Sequence, residues 1–192
     1  MAGCFNSPTD EWQLAHEACL EREVFGDPAA SPYVLPFPVG AAYAVSASCC
    51  DPDSNHYNEL AYDFQMPVGA DIVTMRAGIV TEVVDHFEDQ GEDMMRSNYI
   101  AIRHDDGTVA GYGHTQQWGA VVCVGEQVAQ GQRIGHSGSS GTGSFPHLHV
   151  GVFPQTVWTR GVDLPFNFRN ANGPLDPRGA LVEGALYTAL PY

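Results

Sequence analysis

The chain has 192 residues, 44% of them hydrophobic and 10% aromatic, which suits one folded domain and argues against disorder. Its formal net charge is -15, and all eight of its cations are arginine, with no lysine anywhere. Phosphate backbones are held by clustered Lys and Arg, so the balance argues against nucleic acid as a partner and assigns the acidity to solubility or life in salt.

No apolar run is long enough to span a bilayer; the nearest, 33–50, is broken by Pro36, Pro38 and Gly40. At the start, Met1-Ala2-Gly3-Cys4 resembles the end of a bacterial lipobox, with Met1 in the place usually held by Leu. On that reading a signal has been removed and Cys4 carries a lipid anchor; on the other it begins an ordinary tail. The remaining cysteines are Cys19, Cys49, Cys50 and Cys123. None forms a C-x-x-C pattern, so a cysteine zinc site is not expected. With Cys4 lipidated, four cysteines allow two disulfides, which fits an exported protein; Cys4–Cys19 is the competing pair.

In chain order, Ser7-Pro8-Thr9-Asp10 opens a helix: a hydroxyl N-cap, Pro at the first position and a carboxylate at the third. Trp12, Ala15 and Cys19 recur at helical spacing, so a short amphipathic helix is expected to end near Phe25-Gly26. Residues 27–40 carry four prolines and read as an extended lead-in. Short strands follow: 60–64, two segments within 72–84 around Ala77-Gly78, a hairpin of 98–104 with 108–114 joined by Asp105-Asp106-Gly107, then 121–124 and 127–134. Residues 88–96 form a polar, acidic excursion expected to be a surface loop. Many short strands with no helix between them predict a mainly β protein, a compact antiparallel sheet domain with a short N-terminal helix. The expected organisation is a helix and lead-in over 1–40, a core over 41–153, and an extension packed on it over 154–192.

The Gly/Ser loop 137–144 lacks the Gly-Lys-Ser/Thr ending of a phosphate loop, which rejects nucleotide binding. It leads into Phe145-Pro146-His147-Leu148-His149-Val150, where strand alternation puts His147 and His149 on one face and Leu148 and Val150 on the other. The same period places Tyr112 and His114 on a common face. His56, Asp63 and His149 make two imidazoles and a carboxylate, the composition of a catalytic zinc site with an open fourth position. His114 and His147 remain beside it, able to handle protons or steady charge on a reacting oxygen. Trp118 and Phe145 flank the motif strands and are candidates for the groove wall, as they are for ordinary packing. His16, His86, His104 and His136 are read as structural.

The ordered set His56…Asp63, Tyr112-Gly113-His114 and His147-Leu148-His149 resembles the LytM/lysostaphin-type zinc metallopeptidases, family M23. The run Gly125-Glu126-Gln127-Val128-Ala129-Gln130-Gly131-Gln132-Arg133-Ile134-Gly135, followed by Ser137-Gly138, adds to the likeness over about residues 55–153. The resemblance implies zinc, one ion per chain, held by His56, Asp63 and His149 on the floor of a groove. It implies catalytic roles for His114 and His147; beside them Tyr112, Trp118 and Phe145 are read from their positions as candidates for substrate binding or transition-state support. It also implies endopeptidase cleavage in the stem peptides or cross-bridges of bacterial peptidoglycan. The sequence departs from the usual pattern in two places. Six residues rather than three separate His56 from Asp63, and Phe145 and Val150-Gly151 replace a usual Gly and Phe-Glu. The expected setting is outside a bacterial cytoplasm, whether periplasmic, lipid-anchored or extracellular, as a monomer. Two other functions compete. A two-His, one-carboxylate set also serves non-haem iron oxygenases, and a wall-binding regulator of the same fold would lack catalysis.

Overall fold

The computed structural model describes residues 8–54, 56–91, 93–141, 145–159 and 161–192. Cys4 and Ser7 lie outside the described residues. Among the described residues one α-helix, α1 (Pro8–Arg22), precedes eleven short strands. These are β1 (Ala42–Ala47), β2 (Ala61–Phe64), β3 (Asp71–Val73), β4 (Gly78–Val84), β5 (Tyr99–Arg103), β6 (Val109–Gly113), β7 (Gln127–Val128), β8 (Arg133–His136), β9 (Leu148–Phe153), β10 (Ala171–Asn172) and β11 (Leu186–Ala189).

Nine strands form one antiparallel sheet in the order β10-β11-β1-β2-β9-β6-β5-β4-β7, and β3 pairs with β8 in a second, small sheet. The mainly β reading therefore holds. The alternation of the central strands explains why the sheet has two unlike faces. Tyr62, Phe64, Ile100, Tyr112, Leu148 and Val150 are all fully buried in the main apolar core, which the aromatic residues Phe37, Phe166 and Phe168 complete from outside the sheet. Burying such side chains is the dominant favourable term in holding the sheet, at about 1.5–3 kcal/mol each. The opposite face carries Asp63, Gly111, Gly113, His149 and Gly151, whose small or polar side chains leave a depression beside a second, smaller apolar cluster of Ala101, Val109, Phe153 and Val157.

Three expectations change. α1 ends at Arg22, short of Phe25-Gly26. Residues 121–124 make no strand: Val121 donates its backbone N–H to Ile134, but Val121 and Val124 are exposed and no ladder continues. The cysteine pairing is also different from both alternatives. Cys19 of α1 is bonded to Cys50, so it cannot pair with Cys4. Cys49 is a buried thiol facing the Ala61 carbonyl and Cys123 an exposed one, so among the described residues there is no second bridge. Of the neighbours Cys49 and Cys50, Cys50 is the one bonded to the helix.

The bridge is one of several ties between α1 and residues 50–60. Arg22 pairs with the fully buried Asp163 and reaches the Asn58 side chain at 3.2 Å, while Asp163 accepts the Leu60 N–H at 2.6 Å. His16 contacts the Tyr57 carbonyl at 3.2 Å, and Trp12 lies across both rings. The segment between β1 and β2 is thus irregular but held from outside.

Candidate active site

Asp63 on β2 and His149 on β9 are direct cross-strand partners, so the sheet register itself sets their side chains together. His149 Nδ1 lies 2.8 Å from Asp63 Oδ1. His56 enters from the tied segment: its Nε2 stands 3.2 Å from His149 Nδ1 and 3.4 Å from Asp63 Oδ1. Its Nδ1 faces the Ala61 carbonyl at 3.2 Å and donates there, which leaves the Nε2 lone pair pointing inward. One donor atom from each of the three residues lies within 4.8 Å of the other two. Donor atoms around a tetrahedral dication are about 3.4 Å apart, so the set fits a metal in both composition and spacing.

Its electrostatics agree. Burial raises the Asp63 carboxyl, yet the neighbouring imidazoles of His56 and His149 outweigh it and hold it well below the usual carboxylate range. Burial disfavours charge on His149, but Glu59 and Asp63 overcome that and push it up to about 10. The spot between these groups favours a positive charge, which a metal ion would supply in place of the proton.

His114 and His147 stand beside this cluster, their ring centres 4.7 Å apart. His147 Nε2 is 3.5 Å from Asp63 Oδ2, and its Nδ1 lies 2.9 Å from the Phe145 carbonyl. His114 Nδ1 sits 2.8 Å from the Ser140 carbonyl and 3.0 Å from Ser97 Oγ. Because a carbonyl only accepts, both rings carry hydrogen on Nδ1 and present Nε2 to the cleft. Burial first, then the like-charged neighbours His147 and His149, push His114 down to about 3, so it is neutral at ordinary pH.

A cleft of about 860 Å³ opens over the five residues. Phe145 lines it. Tyr112 does not reach it: the ring is fully buried in the main core and its hydroxyl accepts the Met75 N–H at 2.7 Å. The alternation that paired Tyr112 with His114 fails because His114 lies one residue beyond β6 in left-handed backbone, φ 59°, which turns its side chain to the other face. Trp118 is also absent from the cleft wall, being 70% exposed elsewhere in a left-handed turn.

Other wall residues were not legible in advance. Trp158 packs against His149 at 5.4 Å and against Tyr99 at 5.7 Å between ring centres. It packs over the sheet because Gly111 has no side chain: a Cβ there would come within 2.7 Å of the indole. Glu59, Ser97 and Met95 also border the cleft. Only Glu59 falls inside a motif interval where a search for carboxylates would have found it.

The profile of Peptidase family M23 matches residues 57–164. The chain belongs to family M23. Among curated relatives, it is 33% identical over 113 residues to the peptidoglycan DD-endopeptidase ShyA of Vibrio cholerae, a match covering 59% of this chain and 23% of the relative. It is 36% identical over 105 residues to ShyC, the peptidoglycan DD-endopeptidase of the same organism, with 54% and 22% covered. The chain thus spans less than a quarter of either relative. Among solved structures, the fold is shared with a zinc containing peptidase from Vibrio cholerae, at 25% identity and a TM-score of 0.50 over 70% of this chain and 41% of that one. It is also shared with the catalytic domain of the prophage-encoded M23 protein EnpA from Enterococcus faecalis, at 21% identity and a TM-score of 0.52 over 67% and 93%. The family match begins one residue after His56, so the place of His56 in the cluster rests on the geometry above.

Proposed function

We propose that this chain is a zinc-dependent endopeptidase that hydrolyses peptide bonds in the stem peptides or cross-bridges of bacterial peptidoglycan. The observation that carries the reading is the convergence of the inward atoms of His56, Asp63 and His149 beneath a cleft bordered by His114 and His147. His56, Asp63 and His149 would hold one zinc ion per chain. When bound, zinc polarises a carbonyl and lowers the pKa of water to about 7.

The chain's own groups supply the proton handling. His114 is neutral, with its Nδ1–H held by Ser140 and its Nε2 lone pair facing the cleft, so it accepts the proton from the attacking water. His147 is oriented by the Phe145 carbonyl and presents Nε2 beside Asp63. When it carries a second proton on Nε2 it steadies the developing oxyanion from there, and the proton that His114 took from water passes to the leaving amine. Phe145 and Trp158 give the cleft apolar walls that exclude water around the peptide.

A wall substrate puts the working protein in the periplasm, on a lipid anchor at Cys4, or outside the cell. The Cys19–Cys50 bridge supports an oxidising compartment. No helix among the described residues is long and apolar enough to cross a membrane.

The deciding experiment is mass spectrometry of defined peptidoglycan fragments after incubation with and without chelator. The expected result is new amine termini that chelator abolishes. Chelator-insensitive binding with no cleavage would make the protein a wall-binding regulator instead, and stoichiometric iron in place of zinc would favour the oxygenase reading.

A further inference from the structure

We propose that Glu59 is a positioning residue for the metal centre: its carboxylate takes the Nε2–H of His149 and so aims the Nδ1 lone pair at the ion. The proposal rests on the metal-site reading above.

A neutral imidazole has one N–H and one lone pair, so the partner of one nitrogen decides what the other can do. The two nitrogens of His149 face different ways. Nδ1 points into the cluster, 2.8 Å from Asp63 Oδ1 and 3.2 Å from His56 Nε2. Nε2 points out of it, 3.5 Å from Glu59 Oε1. A carboxylate accepts and does not donate, so Glu59 selects hydrogen on Nε2 and leaves Nδ1 free to ligate. Glu59 stands behind His149 and outside the ligand set.

The chain builds this contact deliberately in the turn between His56 and Asp63. The Glu59 N–H donates to the His56 carbonyl at 2.9 Å, and the Glu59 carbonyl accepts from Cys50 N at 3.0 Å. The next residue, Leu60, is fixed by Asp163. Within the same turn the Ala61 carbonyl orients His56. Thus one short stretch, residues 56–61, supplies a ligand and the outer partners of two imidazoles. Glu59 itself is only 6% exposed. A carboxylate so far from water is costly unless specific interactions compensate it.

The test is zinc affinity, by competition with a chromophoric chelator, for the wild type, Glu59→Gln and Glu59→Ala. It is paired with nitrogen NMR of the His149 Nε2–H in the zinc-loaded proteins, read as its shift and its exchange with solvent. Losing an outer partner of a ligating imidazole typically weakens metal binding about 10–100-fold, and that loss is expected for Glu59→Ala, with an Nε2–H that exchanges faster. Glu59→Gln keeps an acceptor oxygen and should lose less affinity while its Nε2–H stays protected. Should Glu59→Ala fail to fold, the near-isosteric Gln variant decides alone through its affinity and its Nε2–H shift. Variants that bind zinc within about threefold of wild type, or an Nε2–H in Glu59→Ala that exchanges as slowly as in wild type, would overturn the proposal. A wild type that does not bind zinc would overturn the metal-site reading itself, so the two failures are told apart.

Discussion

The two sides of the cluster are built on different principles. Asp63 and His149 sit on paired strands in the middle of a nine-stranded sheet, and their approach follows from register. His56 sits on an irregular segment whose position comes from outside: the Cys19–Cys50 bridge, the Arg22–Asp163 pair and the contact of His16 with Tyr57. A ligand on a strand is precise because its neighbours are. A ligand on a loop is only as precise as the anchors of that loop, and here the anchors lie on α1 and beyond β9.

Substitutions should separate the two sides. His149→Ala removes the proposed strand-borne ligand and is expected to abolish turnover in a peptide-cleavage assay while circular dichroism of the sheet stays unchanged. His114→Ala removes the proposed proton acceptor but none of the proposed ligands; turnover should fall about 10²–10⁴-fold, with zinc content retained. Metal loss in that variant would mean the roles are misassigned.

How much of this was legible beforehand follows the same division. Alternation in His147-Leu148-His149 put both histidines on one face, and the hairpin of β5 and β6 was readable from its Asp105-Asp106-Gly107 turn, where Gly107 takes φ 88°. Register-dependent features carry a local signal. Tyr112 misled because the left-handed residue at His114 reverses the alternation, and nothing in Tyr-Gly-His announces that. The pairing of β11 with β1 joins Thr188 to Ala42, and Cys19 meets Cys50 through the fold alone. Contacts between distant segments leave no pattern in either one. Trp158 was invisible for the same reason: its place depends on the bare surface of Gly111, on another strand.

Smaller effects sharpen the loop side. Arg22→Ala leaves the Asp163 carboxylate buried without its guanidinium, at a cost of about 3 kcal/mol because Arg22 is itself partly exposed. Hydrogen exchange should then rise in residues 50–60 before it rises in β2 or β9, and zinc should bind more weakly. Reducing the Cys19–Cys50 bridge is expected to lower stability by about 2–4 kcal/mol in denaturant titrations, again loosening His56 more than Asp63.

The pH dependence of the metal-free protein tests the strand side in a different way. His114 is lowered to about 3 in the fold, so between that value and its ordinary range near 6.5 the unfolded chain binds the extra proton. Its contribution to stability is present above about pH 6.5 and is lost as pH falls toward 3. Denaturant midpoints of chelated wild type should therefore climb across that window more steeply than those of His114→Ala. Equal slopes would show that His114 is not held neutral by its surroundings.

The most direct measurement is the metal content of the purified protein by elemental analysis, beside His56→Ala and Asp63→Ala. One zinc per chain in the wild type is predicted, with essentially none in Asp63→Ala and a reduced amount in His56→Ala. Full zinc in Asp63→Ala, or a wild type that takes up no zinc when it is supplied, would contradict the account.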